Sequence, residues 1–311
     1  MRLQTRHGDA MGRRIAAIDI GSNTVRGMAA ELLPDGRMVK FADSFAMTAL
    51  GRGLAESHRM DGAAIQATAA FVREFMSKYG PLDAVRCVGT AAARDAENAG
   101  ELAQALRNAA GVNLEVLSGW KEGELTFAGA LSAIGDLAGE RPLVADIGGR
   151  STEVAMAEPA GLRVVSLGMG ARSVTEDYLL SEPPTVRELA AAGAEVGRRL
   201  GAAVELLEAA DVYVVAGGTA CSAALLAGDR WALSQGEIGK LQADLSAKSL
   251  SDRRAALSFD PARAEVICGG LVILEELAAR SPDRTIRISI GGLREGILMA
   301  ESGATQIVGA T

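Results

Sequence analysis

One short phrase occurs twice in this sequence. Ile18-Asp19-Ile20-Gly21-Ser22-Asn23-Thr24 and Ala145-Asp146-Ile147-Gly148-Gly149-Arg150-Ser151-Thr152 both run from an apolar stretch through an aspartate, one further residue and a glycine into small hydroxyl residues. The two aspartates lie 127 positions apart. A repeat at that distance is most simply explained by two related halves, each opening on an Asp-Gly hairpin. The chain is long enough for two, since domains usually take roughly 100–200 residues each. The expected domains are 11–127 and 128–311, with the boundary within 120–140, in or beside the helix after Gly119. No Pro/Ser-rich linker marks it.

Both halves read as α/β. Short β-branched runs at Ile15–Ile20, Val85–Thr90, Leu114–Leu117, Leu143–Ile147, Val164–Leu167, Val212–Ala216 and Ile286–Ile290 read as strands. Between them lie apolar stripes of helical period. Ile65, Ala69, Val72 and Met76 form one, stopped by Gly80-Pro81, and Phe127, Ala130, Leu131 and Ile134 form another. Thr185 is placed to cap a long helix carrying Leu189, Val196, Leu200, Val204 and Leu207. Alternating strands and helices imply a layered α/β fold.

Composition narrows the ligands. Lys+Arg 32 against Asp+Glu 39 gives a net charge of −7, so no general basic surface for nucleic acid exists and an anionic ligand needs a local site. Aromatics at 4% argue against a base-stacking platform. Cys87, Cys221 and Cys268 are widely spaced and read as buried thiols of a reducing compartment. With only His7, near a frayed start, and His58, in a loop, a Ser-His-Asp triad or a His-rich metal site has little to draw on. No apolar run of about 18 residues suggests a membrane span. The basic start followed by an Asp-interrupted apolar stretch does not read as a signal peptide, and a cytoplasmic location is expected.

Glycine turns point to anions. A glycine lets backbone N–H groups approach an anion with no Cβ in the way. Gly21-Ser22-Asn23-Thr24 offers such a turn, and Asp19 just before it is placed to hold a hydrated Mg²⁺. An ordinary hairpin turn is the alternative. Its echo at Gly148, Gly149, Arg150, Ser151 and Thr152 makes a two-jawed phosphate clamp the stronger reading. Gly217-Gly218-Thr219 is a third such turn, at a strand-to-helix junction where a helix N-terminus favours negative charge, although a Gly-Gly on its own reads more readily as close helix–strand packing.

The segments AIDIGSNTVR, VGTAAARDAEN, LSGWKEGE, DIGGRSTE, AGGTA, RAEVICGG and GGLREGIL follow in this order. In them the chain resembles the exopolyphosphatase/guanosine pentaphosphate phosphohydrolase (Ppx/GppA) family over about residues 15–298, and its length matches the short members without appended C-terminal helical domains. The resemblance implies the two-domain actin/hexokinase/Hsp70-like (ribonuclease H-like) fold with an interdomain cleft. It also implies Mg²⁺- or Mn²⁺-assisted hydrolysis at the end of polyphosphate or at the 5′-triphosphate of pppGpp. Carried over, Glu122 matches the carboxylate that orients the attacking water, and Asp146 and Glu153 match acidic residues linked to the metal and the nucleophile. Arg94 matches the arginine gripping the outgoing phosphate; Asn23 and Arg26 match the first loop.

Expected partners are polyphosphate or guanosine penta/tetraphosphate and, by analogy, a second copy of the chain; no membrane and no specific nucleic acid are expected. Three positions depart from the family pattern: Arg150 stands for a glycine, Lys121 precedes Glu122 where the family has a second acid, and Ala91 replaces a hydroxyl residue. Arg150 implies either backbone strain at a positive φ or an added phosphate donor, and the second is preferred. Arg294-Glu295 is read as structural, fixing the last helix against the second domain. A non-catalytic polyphosphate or (p)ppGpp sensor, or a small-molecule kinase of the same fold, are the alternative functions.

Overall fold

The structure, a computed structural model, describes residues 12–309 other than 136, 138, 282 and 304–306. His7 lies outside the described residues. The apolar run expected at 15–20 becomes a central strand, β1 (Arg13–Ile20), paired with a hairpin partner β2 (Thr24–Leu32). β3 (Met38–Met47) continues the meander. After α1 (Leu54–Ser57) and α2 (Gly62–Tyr79), β4 (Ala84–Gly89) lies parallel to β1. Past α3 (Ala91–Asp95) and α4 (Ala99–Ala110), β5 (Leu114–Val116) lies parallel to β4.

Helix α5 (Gly119–Ser132) leads into the second sheet, where β6 (Pro142–Ile147), β7 (Thr152–Glu158) and β8 (Gly161–Leu167) repeat the antiparallel meander. After α6 (Ala171–Tyr178), α7 (Val186–Leu200) and α8 (Val204–Ala209), β9 (Val212–Ala216) runs parallel to β6. Then come α9 (Gly218–Leu226), β10 (Ala232–Ser234), α10 (Gln235–Ser246), α11 (Leu250–Ala256) and α12 (Ile267–Ala278), before β11 (Thr285–Ile288) pairs parallel with β9. The sheet orders β3-β2-β1-β4-β5 and β8-β7-β6-β9-β11 are the same path traced twice. The chain ends on α13 (Leu293–Ser302) and β12 (Ile307–Gly309), and β12 joins the first sheet beside β3.

The outer face of each sheet buries its own core, under α2 and α4 in one case and under α7, α9 and α12 in the other. Between the sheets lie α5 and α13. Leu125, Leu293, Ile297 and Leu298 pack on Ile15, Ala17 and Met28 of the first sheet, while Ala130 packs on Val144, Val214 and Ala216 of the second. The two helices cross backbone to backbone. A Cβ on Gly296 would stand 1.9 Å from the Leu125 carbonyl oxygen, and one on Gly129 would stand 2.0 Å from that of Gly292.

Three local readings change. Glu295 does cap α13, its Oε2 accepting the Gly292 N–H at 2.9 Å, but the helix packs on α5 and the first sheet rather than against the second domain. The long helix after Thr185 is broken by a 3₁₀ turn at Gly201–Ala203, giving α7 and α8. Ile134 falls beyond the end of α5. The Thr185 cap and the stop at Gly80 stand as expected. Among the described residues no helix is long and apolar enough to cross a membrane.

Candidate active site

Both repeated phrases form the same turn. The Gly21 N–H donates to Thr24 O at 3.1 Å and the Gly148 N–H to Ser151 O at 3.0 Å, so each glycine amide closes its own hairpin. Any anion must therefore be met by the residues that follow. The hairpins abut: a Cβ on Gly149 would lie 3.0 Å from Ser22 Cβ. Asp19 and Asp146, one residue from the ends of β1 and β6, occupy equivalent places, but their cross-strand partners differ. Asp19 faces Arg26, whereas Asp146 faces Glu153.

A cleft between the sheets is lined by Asp19, Gly21, Ser22, Asn23, Thr24 and Arg26 from the first hairpin. Asp146, Gly148, Gly149 and Ser151 line it from the second, Gly217, Gly218 and Thr219 from the third turn, and Glu122 from α5. Gly217 must be glycine. Its φ is +98°, and a Cβ there would meet Ile147 O at 2.7 Å and Asp146 Oδ1 at 2.8 Å.

Four expected residues lie outside the lining. Thr152 is fully buried and its hydroxyl donates to Met169 O at 2.8 Å, which turns it away from any ligand. Glu153 sits behind the wall, against α5. Arg94 reaches the site indirectly, its Nη1 donating to Leu117 O at 2.9 Å and to Glu122 Oε2 at 3.1 Å. Arg150 is directed elsewhere: its guanidinium faces Asp95 at 3.9 Å and Glu176 at 4.0 Å, and its side chain packs by Gly51. Its φ is not positive, so the strained alternative does not apply.

Burial dominates the electrostatics. Asp19 is pushed up to about 6 by burial, with Arg26 and Arg294 pulling the other way, and its Oδ1 has no hydrogen-bond partner. Burial likewise raises Asp146, against Arg26 and a 3.3 Å bond from the Thr126 hydroxyl. Glu153 is pushed to about 7, burial first, with Asp146 adding to it; the Ser166 hydroxyl at 2.7 Å restrains it, and Oε2 has no partner. Glu122 is raised well above the usual carboxylate range by burial and by Glu153 and Asp146, against the pull of Arg94. Raised carboxylates clustered at and just behind a cleft make it the candidate functional site.

Sequence reasoning missed three arginines. Arg263 and Arg294 line the cleft beside Arg26; Arg263 is anchored to Asp260 by its Nε at 2.9 Å and packs flat on Gly218. Arg263 stands in RAEVICGG with no role assigned to it, whereas Arg294 in GLREG was read as structural; it lines the cleft while its Nη1 donates to Asp43 Oδ1 at 2.5 Å. Arg172, on α6, donates from Nε to Asn23 Oδ1 at 3.0 Å, and no spacing in the sequence connects those two residues.

Two sheets of one topology, each offering an Asp-Gly hairpin to a shared cleft, define a member of the actin/hexokinase/Hsp70-like class. Within it, the chain belongs to the Ppx/GppA phosphatase family, whose model matches residues 30–304. It is 31% identical over 319 residues to Exopolyphosphatase 2 of Mycobacterium tuberculosis, covering 93% of this chain and 99% of that one. Among solved structures it is similar to an exopolyphosphatase-like protein (25% identity, TM-score 0.85, 94% and 98% of the two chains). The Aquifex aeolicus PPX-GPPA enzyme is also similar (27%, TM-score 0.74, 93% and 99%).

Proposed function

We propose that this chain hydrolyses the terminal phosphoanhydride of inorganic polyphosphate with the help of a divalent cation. The observation that carries the reading is a set of four carboxylates, with half-buried Asp19 and Asp146 and buried Glu122 at the cleft and buried Glu153 just behind its wall, beside Arg26, Arg263 and Arg294. Burying acids costs free energy unless a cation or a proton offsets it. The similarity to a mycobacterial exopolyphosphatase supports the substrate class.

Mg²⁺ or Mn²⁺ fits the donors. Asp19 Oδ1 is buried without a partner, and the acids are hard oxygen ligands. Mg²⁺ takes one or two carboxylates and fills the rest of its shell with water and phosphate oxygens. Asp19 and Asp146 would hold it, with Glu153 beside them. When bound, the ion neutralises charge on the phosphoryl oxygens.

The chain's residues do the rest. Arg26, Arg263 and Arg294 attract the polyanion, and the hairpins receive its terminal phosphate. Glu122 takes a proton from the attacking water as its oxygen bonds to phosphorus and the bridging P–O bond breaks. Burial and the neighbouring carboxylates raise its pKa, which makes it a stronger base than an exposed glutamate. Arg94 keeps the Glu122 carboxylate turned and ionisable; Thr126 and Ser166 hold Asp146 and Glu153.

A second substrate is favoured by one feature. Beside the cleft, and sharing its three arginines, lies a groove of about 400 Å³ with the exposed rings Phe45 and Phe259 and the side chain of Leu225. Such a surface suits the nucleoside of pppGpp. Phosphate release from polyphosphates of several lengths, pppGpp and ATP, each with and without Mg²⁺, tests both. Release from polyphosphate is expected; tight binding without release would favour a sensor, and ATP-dependent phosphorylation of an acceptor a kinase. The lobes, on this proposal, divide within 120–140 as the repeat suggests, with α13 and β12 returning to the first.

A further inference from the structure

We infer that Arg172 is a positioning residue that holds the two phosphate hairpins in register, acting through Asn23. The inference rests on the phosphohydrolase reading and adds a residue that the cleft itself does not contain. Arg172 belongs to the second hairpin by its backbone: its N–H donates to Gly149 O at 2.7 Å, and the neighbouring Ala171 N–H donates to Gly148 O at 2.9 Å. By its side chain it belongs to the first. Nε donates to Asn23 Oδ1 at 3.0 Å, and Nη2 donates to the same oxygen. The guanidinium is almost wholly enclosed, at 4% exposure, and Nη1 is fixed by Glu176 Oε1 at 3.3 Å.

One residue thus bonds to both jaws of the clamp. Asn23 lines the cleft, and its backbone oxygen already takes the N–H groups of Thr48 and Ala49, so its main chain is set by the first lobe. Its side-chain oxygen is set by the second. A planar fork with two N–H groups on one acceptor fixes direction as well as distance, which a point charge does not. Gly149 adds the space: with any side chain there, the hairpins could not approach as closely at Ser22 and Asn23. Other contacts across this side are a long bond from the Gly53 N–H to Glu176 Oε1 at 3.4 Å and the exposed or long ion pairs Arg52 to Glu265 and Arg150 to Asp95, which contribute little.

The test is a double-mutant cycle of Arg172→Met and Asn23→Ala, read as kcat and KM for phosphate release from polyphosphate, with Tm measured alongside. A small misplacement of a binding group costs up to ~10²-fold, so Arg172→Met should lower kcat/KM by roughly 10–10²-fold. The double variant should be no worse than Arg172→Met by more than about 2-fold, because both changes remove one interaction. Glu176→Gln, which touches the guanidinium but no cleft residue, should keep kcat/KM near the wild-type value.

Multiplying effects of the two substitutions, or a loss in Glu176→Gln equal to that in Arg172→Met, would overturn the inference. So would a lowered Tm with kcat/KM intact. If Arg172→Met does not fold, Arg172→Lys keeps the buried charge but not the fork and takes its place in the cycle. A wild type that releases no phosphate would refute the phosphohydrolase reading alone. The cycle is then read from the calorimetric Kd for inorganic tripolyphosphate, where non-additivity upholds the role of Arg172 and additivity ends it.

Discussion

Replacing Glu153 with glutamine should make the protein more stable at alkaline pH while it impairs phosphate release. The carboxylate is buried, lies directly across from Asp146 in the β6–β7 ladder, and is raised from 4.5 to about 7. At 1.36 kcal/mol per unit, ionising it in the folded protein costs about 3 kcal/mol. The sign follows from linkage: its folded pKa exceeds its unfolded one, so the associated stability is fully present below 4.5 and is lost as pH rises through about 7. Glutamine never ionises, keeps an oxygen for the Ser166 hydroxyl, and relieves Glu122 of a like charge. In chelator, the variant should exceed the wild type by about 3 kcal/mol at pH 8, on the order of 5–10 °C in Tm. At pH 5 the gap should shrink below about 1 kcal/mol. Thermal unfolding of both proteins across that range is the measurement. A gap that is absent at pH 8, or one that does not close on acidification, would refute the electrostatic account of the site.

Glu122→Gln keeps the shape of the side chain and removes the base, so kcat should fall by roughly 10²–10⁴ with KM nearly unchanged; full turnover in this variant would end its assignment. Arg94→Ala takes away the charge that opposes burial at Glu122, so the acidic limb of the kcat profile should move to higher pH, and an unmoved limb would return Arg94 to a structural role. Gly296→Ala puts a Cβ 1.9 Å from Leu125 O and should cost at least roughly 1–3 kcal/mol through forced separation of α5 and α13, measured by urea unfolding. Arg150→Gly should leave the salt dependence of polyphosphate binding unchanged, because its guanidinium faces Asp95 and Glu176; a flattened salt dependence would put it at the phosphate chain after all.

The parts of the site that were legible in the sequence are those made by neighbouring residues. An aspartate ending an apolar run, followed by a glycine turn, encodes its own hairpin, so the repeat disclosed two α/β halves and the places of Asp19 and Asp146. The Thr185 cap and the Gly80 stop are local for the same reason. Glu122 was legible only through the family motif, since a glutamate in the first turn of a helix is commonplace. Strands β2, β3 and β7 were not singled out, because alanines, a glycine and charged residues interrupt their β-branched runs.

Direction and burial belonged to the tertiary structure. Thr152 and Ser151 are neighbours in one motif, yet the ladder turns Thr152 to the backbone of Met169 and leaves Ser151 in the cleft. Arg150 reads as a phosphate donor until packing on Gly51 sends its guanidinium towards Asp95 and Glu176. Arg172 and Asn23 stand 149 positions apart and meet only once α6 is tied to the second hairpin. The raised pKa values of Asp19 and Glu153 have the same origin. A sequence states which groups carry charge and which turns are cheap, but a side chain's partners and its loss of water are set by what other segments bring against it.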